Sequence, residues 1–346
     1  MSFSESQRIS DSVSLTKTQK YRQTRIWTWM RETWIGELSR AFRKFRYEVW
    51  AWASCEQMIF PSVKKLSESI ALLEAGGSDA TRTEKEQEAP IFLLSTGWRA
   101  GSTLLQRILV TDSRLLLWGE PLGEMTIASK LAEMMSDFIS PRNLRLWRDQ
   151  NDPTSADLSI SWVANLYPSG DEFRLALRTL FDQWLRGPAY KRGFTRWGFK
   201  DVRLSAAEAT LLHWLYPKAK FVIISRHPYD CYRSLADAEW DPVYYRYPDV
   251  CMDSAASFAR LWNRLAVSWS ELPAGFPSIH IKYEDLINGK VDFRKLESWL
   301  GIEIKESVAL SASVGGTAKR NRIAWYERWI IAREAEAGMR ALGYSK

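Results

Sequence analysis

Pro90-Ile91-Phe92-Leu93-Leu94, followed by Ser95-Thr96-Gly97-Trp98-Arg99-Ala100-Gly101-Ser102-Thr103-Leu104-Leu105, is the stretch on which the fold turns. The apolar run is too short for a helix and stops at a glycine-containing loop, as a buried parallel strand does. Leu104, Leu105 and Ile108 then begin a helical pattern. Strand, glycine loop and helix in that order describe a phosphate loop. Gly97 and Gly101 permit tight turns, so that successive N–H groups and the positive helix N-terminus converge on an anion, while the Ser102 and Thr103 hydroxyls add hydrogen bonds. A loop built for a triphosphate carries lysine after its last glycine. Here Ser102 stands in that place and the cation, Arg99, precedes the glycine, which disfavours triphosphate hydrolysis.

Short apolar runs recur at Leu115–Trp118, Arg196–Lys200, Phe221–Ile224 and Ile279–Lys282, separated by helical patterns long enough to serve as crossovers. That alternation predicts an α/β fold with a doubly wound parallel sheet. The segment Leu144 to Gly187 lacks strand runs and reads as part of a helical insertion over about 124–190, a cover for an acceptor site. Ile323 to Leu342 is again helical in pattern.

Upstream, residues 1–20 are polar and serine-rich and are expected to be disordered or loosely attached. Residues 21–88 are expected to form a helical extension and linker, and 89–346 the main domain. In the extension Trp27, Met30, Trp34, Leu38, Phe42, Phe45 and Val49 recur at three- and four-residue steps between arginines and lysines. This segment reads either as a helical hairpin packed on the main domain or as a membrane-surface or partner-binding helix. The run AGGSDATRTEKEQEA, 75–89, reads as a linker, with a domain boundary near residue 88.

The 346 residues carry 48 basic and 41 acidic side chains, a net charge of +7. This balance suits an anionic ligand and is too evenly spread to indicate nucleic acid. Cys55, Cys231 and Cys251 form no CxxC pair, so neither a disulfide framework nor a metal site is expected. No apolar h-region stands at the N-terminus and no run approaches the ~18 apolar residues of a membrane span; a cytoplasmic location is expected.

A second anion motif follows the fourth apolar run: Arg226-His227-Pro228-Tyr229-Asp230-Cys231-Tyr232-Arg233-Ser234, with proline near the first helical turn. Arg226 and Ser234 offer charge and hydroxyl to a phosphate. Alone, this could be a salt-bridged helix start. Together, TGWRAGSTLL and the Arg226-to-Ser234 spacing resemble the 5'-phosphosulfate loop and the 3'-phosphate motif of sulfotransferases that use 3'-phosphoadenosine-5'-phosphosulfate (PAPS). The likeness runs from about 89 to 320, includes IHIKYEDLI (279–287), and lies closer to the bacterial, carbohydrate and protein-tyrosine types than to the cytosolic aryl type.

This resemblance implies a P-loop three-layer fold, with PAPS as donor and adenosine-3',5'-bisphosphate as product. It assigns Arg99, Ala100, Gly101, Ser102, Thr103 and Leu104 to the phosphosulfate loop, with Ala100 replacing the usual serine and Leu104 standing where the cytosolic subfamily often has tryptophan. Arg226 and Ser234 fall to the 3'-phosphate, and Lys319 and Arg320 to a late loop closing over it; Gly315-Gly316 before Lys319-Arg320 also reads as a solvated basic loop. Glu120 resembles the general base of the carbohydrate and protein-tyrosine enzymes, Glu124 being the substitute. Lys200, at a strand's carboxyl end where ligands of open sheets collect, resembles the lysine that steadies the transferring group, with Arg99 beside it. Of the histidines, His213, His227 and His280 each read as structural. The expected acceptor is a small molecule or glycan. The competing readings are a small-molecule kinase using ATP, which lacks its lysine here, and a non-catalytic binding protein on the same fold.

Overall fold

The computed structural model describes residues 34–54, 61–75, 89–121, 127–136, 168–236, 246–247, 250–251, 254–305 and 323–345. Glu124, Lys319 and Arg320 lie outside this set, as do 1–33 and most of the 75–89 run. The chain divides into two compact units at Ala53/Ser54. The first contributes helix α1 (Trp34–Ser54) to the description.

The second unit begins with α2 (Val63–Ala75) and continues through β1 (Ile91–Ser95), α3 (Ser102–Leu109), β2 (Leu115–Trp118), α4 (Ile127–Ser136), α5 (Gly170–Phe181), α6 (Gly187–Lys191), β3 (Arg196–Asp201), α7 (Ala206–Leu215), β4 (Lys220–Ser225) and α8 (Pro228–Ala236). After a two-residue antiparallel pairing of Arg246–Tyr247 with Val250–Cys251 come α9 (Ala255–Ser268), β5 (Ser278–Lys282), α10 (Tyr283–Ile287), α11 (Phe293–Leu300), α12 (Trp325–Glu334) and α13 (Glu336–Ala341). The five apolar runs of the sequence are the five strands of one parallel sheet, ordered β2-β3-β1-β4-β5.

Successive residues of a strand point to opposite faces, and both faces here are apolar, so each must be covered. Phe92, Leu94, Trp197, Phe199, Phe221 and Ile223 pack on one face against α2, α4, α5 and α7. Ile91, Leu93, Leu115, Leu117, Val222, Ile224 and Ile281 pack on the other against α3 and α11. The result is a three-layer α/β fold. Phe92, fully buried, meets Trp197, Phe199, Tyr216 and Phe221 at ring distances of 4.7 to 6.2 Å; burial of such a side chain contributes about 1.5–3 kcal/mol. Val63, Leu66, Ile70 and Leu73 of α2 belong to the same core, although they precede the linker. The described parts of the expected cover, α4 to α6, join the α7 face, and Trp118 Nε1 donates to Leu185 O between α5 and α6 (3.0 Å). Residues 137–167 lie outside the description.

The topology locates a site. From β1 the chain leaves toward β2, and from β4 toward β5, so the loops after these neighbouring strands diverge and open a crevice at their carboxyl ends.

Candidate active site

The carboxyl ends of the strands present, in spatial order across the sheet, Glu120 after β2, Lys200 and Arg203 at and after β3, the glycine loop after β1, Arg226 after β4 and Tyr283 after β5. Neighbouring strands are ~4.8 Å apart, so the loops after β1 and β4 meet within the reach of one arginine.

The glycine loop is wound as an anion cradle. Ser95 Oγ donates to Gly97 O (2.8 Å), and Thr96 N–H donates to Ile224 O of β4 (3.1 Å). Beyond them φ is positive at every second residue: Gly97 at 115°, Arg99 at 63° and Gly101 at 93°. Arg99 is the one non-glycine residue with positive φ among those described, a conformation costing about 1–2 kcal/mol in an L residue. Alternating handedness of this kind turns successive N–H groups toward a common point. Gly101 then opens α3 with no side-chain cap, leaving the helix's first N–H groups unclaimed by side chains. Thr96 Oγ1 is buried without a hydrogen-bond partner.

Gly101 is required twice over. Its φ is left-handed, and a Cβ there would lie 2.2 Å from the Tyr283 ring. Gly101→Ala should cost about 2 kcal/mol or more from backbone strain and the displaced ring, lowering the melting temperature by about 5 °C. A thermal melt indistinguishable from the parent would show that the loop tolerates another path.

The second motif is bonded directly to the first. Arg99 Nε donates to Ser234 Oγ on α8 (3.0 Å), and Arg226 Nη1 donates to the Arg99 carbonyl (3.2 Å). The Arg226 guanidinium stacks on the Tyr283 ring at 4.3 Å, while its Nε is buried and unpartnered. The loop backbone is held from behind: Trp262 Nε1 donates to Arg226 O (3.2 Å), His227 N–H donates to Glu284 Oε1 (2.9 Å), and Tyr344 OH donates to Glu284 Oε2 (3.1 Å). His227 Nε2 contacts Ser345 O at 2.9 Å, consistent with a structural role. His213 lies on α7, its pKa lowered by burial and by Arg174, and His280 is exposed on β5. Cys231 is buried and its thiol is pushed far up by desolvation, so it is no thiolate nucleophile.

At the other end of the row, Glu120 Oε1 accepts from Lys200 Nζ and Glu120 Oε2 from Arg203 Nη1, each at 2.5 Å. The carboxylate side chain is 27% exposed and the two cations 9%, so the acid is the member that reaches solvent. Arg203 also stacks over Trp98 of the glycine loop at 5.2 Å, which couples the carboxylate cluster to the cradle. Gln106 Nε2 donates to Leu117 O and Trp118 O and thereby sets the strand end from which Glu120 departs. Of the three groups assigned to catalysis, Glu120 and Lys200 are in contact, whereas the Arg99 side chain is engaged with Ser234. Ala100 is fully buried, Ser102 buried, Thr103 exposed and Leu104 half-buried.

Behind this cluster Asp201 is fully buried, accepting Arg203 N–H at Oδ1 (2.8 Å) with Oδ2 unpartnered. Burial raises its pKa to about 7, helped by the nearby Glu120 charge and opposed by the Arg203 N–H and the Arg203 and Lys200 cations. An acid with a folded pKa above its unfolded value stabilises the fold most at low pH. The unfolded chain releases this proton near pH 3.8, so stability falls as pH rises to about 7 and then levels, by up to about 4 kcal/mol. Asp201→Asn keeps the Oδ1 acceptor and should flatten that slope in melts between pH 4 and about 8, raising stability at the upper end; a parallel slope in the variant would contradict the assignment.

Sequence reasoning missed Trp98, Asp201, Arg203 and Tyr283. The Lys200-Asp201-Val202-Arg203 cluster at a strand's carboxyl end was the available signal for two of them. Tyr283 had none beyond its place in IHIKYEDLI.

A family model described as "Sulfotransferase family" matches residues 90–306. Among solved structures, the chain is similar to the sulfotransferase domain of the Synechococcus PCC 7002 olefin synthase, at 17% identity, 75% of this chain, 90% of that chain and a TM-score of 0.37. It is similar also to a sulfotransferase from Alicyclobacillus acidocaldarius, at 15% identity, 74% and 97% coverage and a TM-score of 0.36. No curated protein matches the chain significantly in sequence. With the glycine loop, both anion motifs and all five strands inside the stretch matched by the family model, the chain belongs to the sulfotransferase family.

Proposed function

We propose that the protein transfers a sulfuryl group from PAPS to a hydroxyl acceptor, a carbohydrate or another hydroxylated metabolite. The observation that carries this reading is the direct bonding of the two anion motifs, Arg99 to Ser234 and Arg226 to the Arg99 carbonyl, which makes one site for a ligand with two separate phosphate-like groups. The residues present fit such a ligand: the unclaimed N–H groups of α3, the orphaned Thr96 Oγ1 and the orphaned Arg226 Nε all await an acceptor or donor.

The backbone of 97–103 would hold the phosphosulfate, with Ser102 and Thr103 adding hydroxyls and Ala100 none. Arg226 and Ser234 would hold the 3'-phosphate, joined by Lys319 and Arg320, and Leu104 would offer an apolar wall to the base. Bound PAPS supplies an electrophilic sulfur with a phosphate leaving group. Glu120, the solvent-reaching member of its cluster, takes the acceptor's hydroxyl proton. Lys200 and Arg203 fix both of its oxygens, and Lys200 together with Arg99 offsets negative charge as the leaving group departs, an effect worth about 3 kcal/mol per well-placed donor. We assign the segment about 124–190 to the acceptor side, Glu124 to a secondary place beside Glu120, and the protein to the cytoplasm.

The test is incubation with PAPS labelled in its sulfate and a panel of sugars, phenols and aliphatic alcohols, followed by mass spectrometry. Gain of one SO3 on an acceptor with release of adenosine-3',5'-bisphosphate is expected. Release of bisphosphate that no acceptor accelerates would contradict a transfer function.

A further inference from the structure

Helix α1 has no part in the chemistry above, and its exposed residues are of an unusual kind. Phe42, Tyr47, Val49 and Trp50 are 61%, 38%, 42% and 62% exposed. Arg43 and Arg46 are exposed beside them, and Arg40 and Lys44 are exposed on the opposite side of the helix. At 3.6 residues per turn Phe42, Arg46, Val49 and Trp50 share one face, with Arg43 and Tyr47 on its border. The acid of the stretch 39–53, Glu48, is buried at 1%, so no carboxylate reaches solvent along that length.

A surface that mixes large apolar side chains with arginines complements an anionic lipid interface. Apolar side chains left in water forgo about 25 cal/mol per Å². Trp and Tyr favour the interfacial layer of a bilayer, and arginines on the same helix are drawn to anionic headgroups. The sequence upstream, residues 21–33, adds Arg22, Arg25, Arg31, Trp27 and Trp29 against a single acid, Glu32. Among the described residues no helix is long and apolar enough to cross a membrane.

We propose that the exposed face of α1 binds the surface of an anionic lipid bilayer. The test is flotation of the full chain with vesicles of phosphatidylcholine plus phosphatidylglycerol, and with vesicles of phosphatidylcholine alone. Binding is expected to the anionic vesicles, to weaken with added salt, and to fall about tenfold or more in both the Phe42→Ala/Trp50→Ala and the Arg43→Gln/Arg46→Gln variants. Each variant should retain the parent's thermal melt, showing that the fold persists. Equal binding to neutral vesicles, no binding to either kind, or variants that float like the parent would overturn the proposal. So would a change of oligomeric mass in the variants while vesicle binding persists, which would mark the face as a contact between copies of the chain.

Discussion

Glu120→Gln should lower the transfer turnover a hundredfold to ten-thousandfold at saturating acceptor, the range expected when a positioned general base is lost. Glutamine matches the carboxylate in shape and keeps one acceptor, its carbonyl oxygen, for either Lys200 or Arg203, while its NH2 gives up the contact to the other. It cannot take a hydroxyl proton. Affinity for adenosine-3',5'-bisphosphate should stay within a few-fold of the parent, because the residues proposed to hold its phosphates stand on β1, β4 and α8 rather than on β2. That split between turnover and product affinity separates a base from a mere structural acid. A turnover within a few-fold of the parent would remove Glu120 from the chemistry and direct attention to Glu124.

Arg226→Ala is expected to weaken bisphosphate binding by roughly thirtyfold to a thousandfold in calorimetry. Three losses add up: charge-assisted bonds to the phosphate at about 1.5–3 kcal/mol, the bond to the strained Arg99 backbone, and stacking on Tyr283 at about 0.5–1 kcal/mol. Arg226→Lys restores the charge but neither the fork nor the flat stacking face, and should recover only part of the affinity. Equal affinity in Arg226→Ala and parent would show that the phosphate sits elsewhere.

Three of the strands were legible because a strand buried on both faces of a parallel sheet reads as an uninterrupted apolar run, as Ile91–Leu94, Leu115–Trp118 and Phe221–Ile224 do, whereas Arg196–Lys200 and Ile279–Lys282 carry charged or histidine residues between their apolar ones. The glycine loop was legible for a related reason: only glycines between a strand and a helix allow the turns that Gly97 and Gly101 make. The partners of Glu120 were less so. Lys200 could be proposed from its strand end, but Arg203 reaches the carboxylate only because the chain bends after β3, and Tyr283 meets Gly101 and Arg226 only because β5 lies beside β4. Contacts made by register between distant strands leave no local trace in sequence. The same holds for α2, which precedes a linker-like stretch yet packs into the core beside α4, α5 and α7, and for Tyr344, whose hydroxyl reaches Glu284 across 60 residues.

Thermal melting with excess adenosine-3',5'-bisphosphate, beside ATP with Mg²⁺, tests the central assignment most directly. A ligand of the folded state at a hundredfold excess over its Kd stabilises by about 2.7 kcal/mol, which raises the midpoint by several degrees. The assignment requires that the bisphosphate raises it, that ATP with Mg²⁺ does not, and that Arg226→Ala removes the shift. A rise with ATP and Mg²⁺ and none with the bisphosphate would contradict it and make the glycine loop a site for phosphoryl rather than sulfuryl transfer.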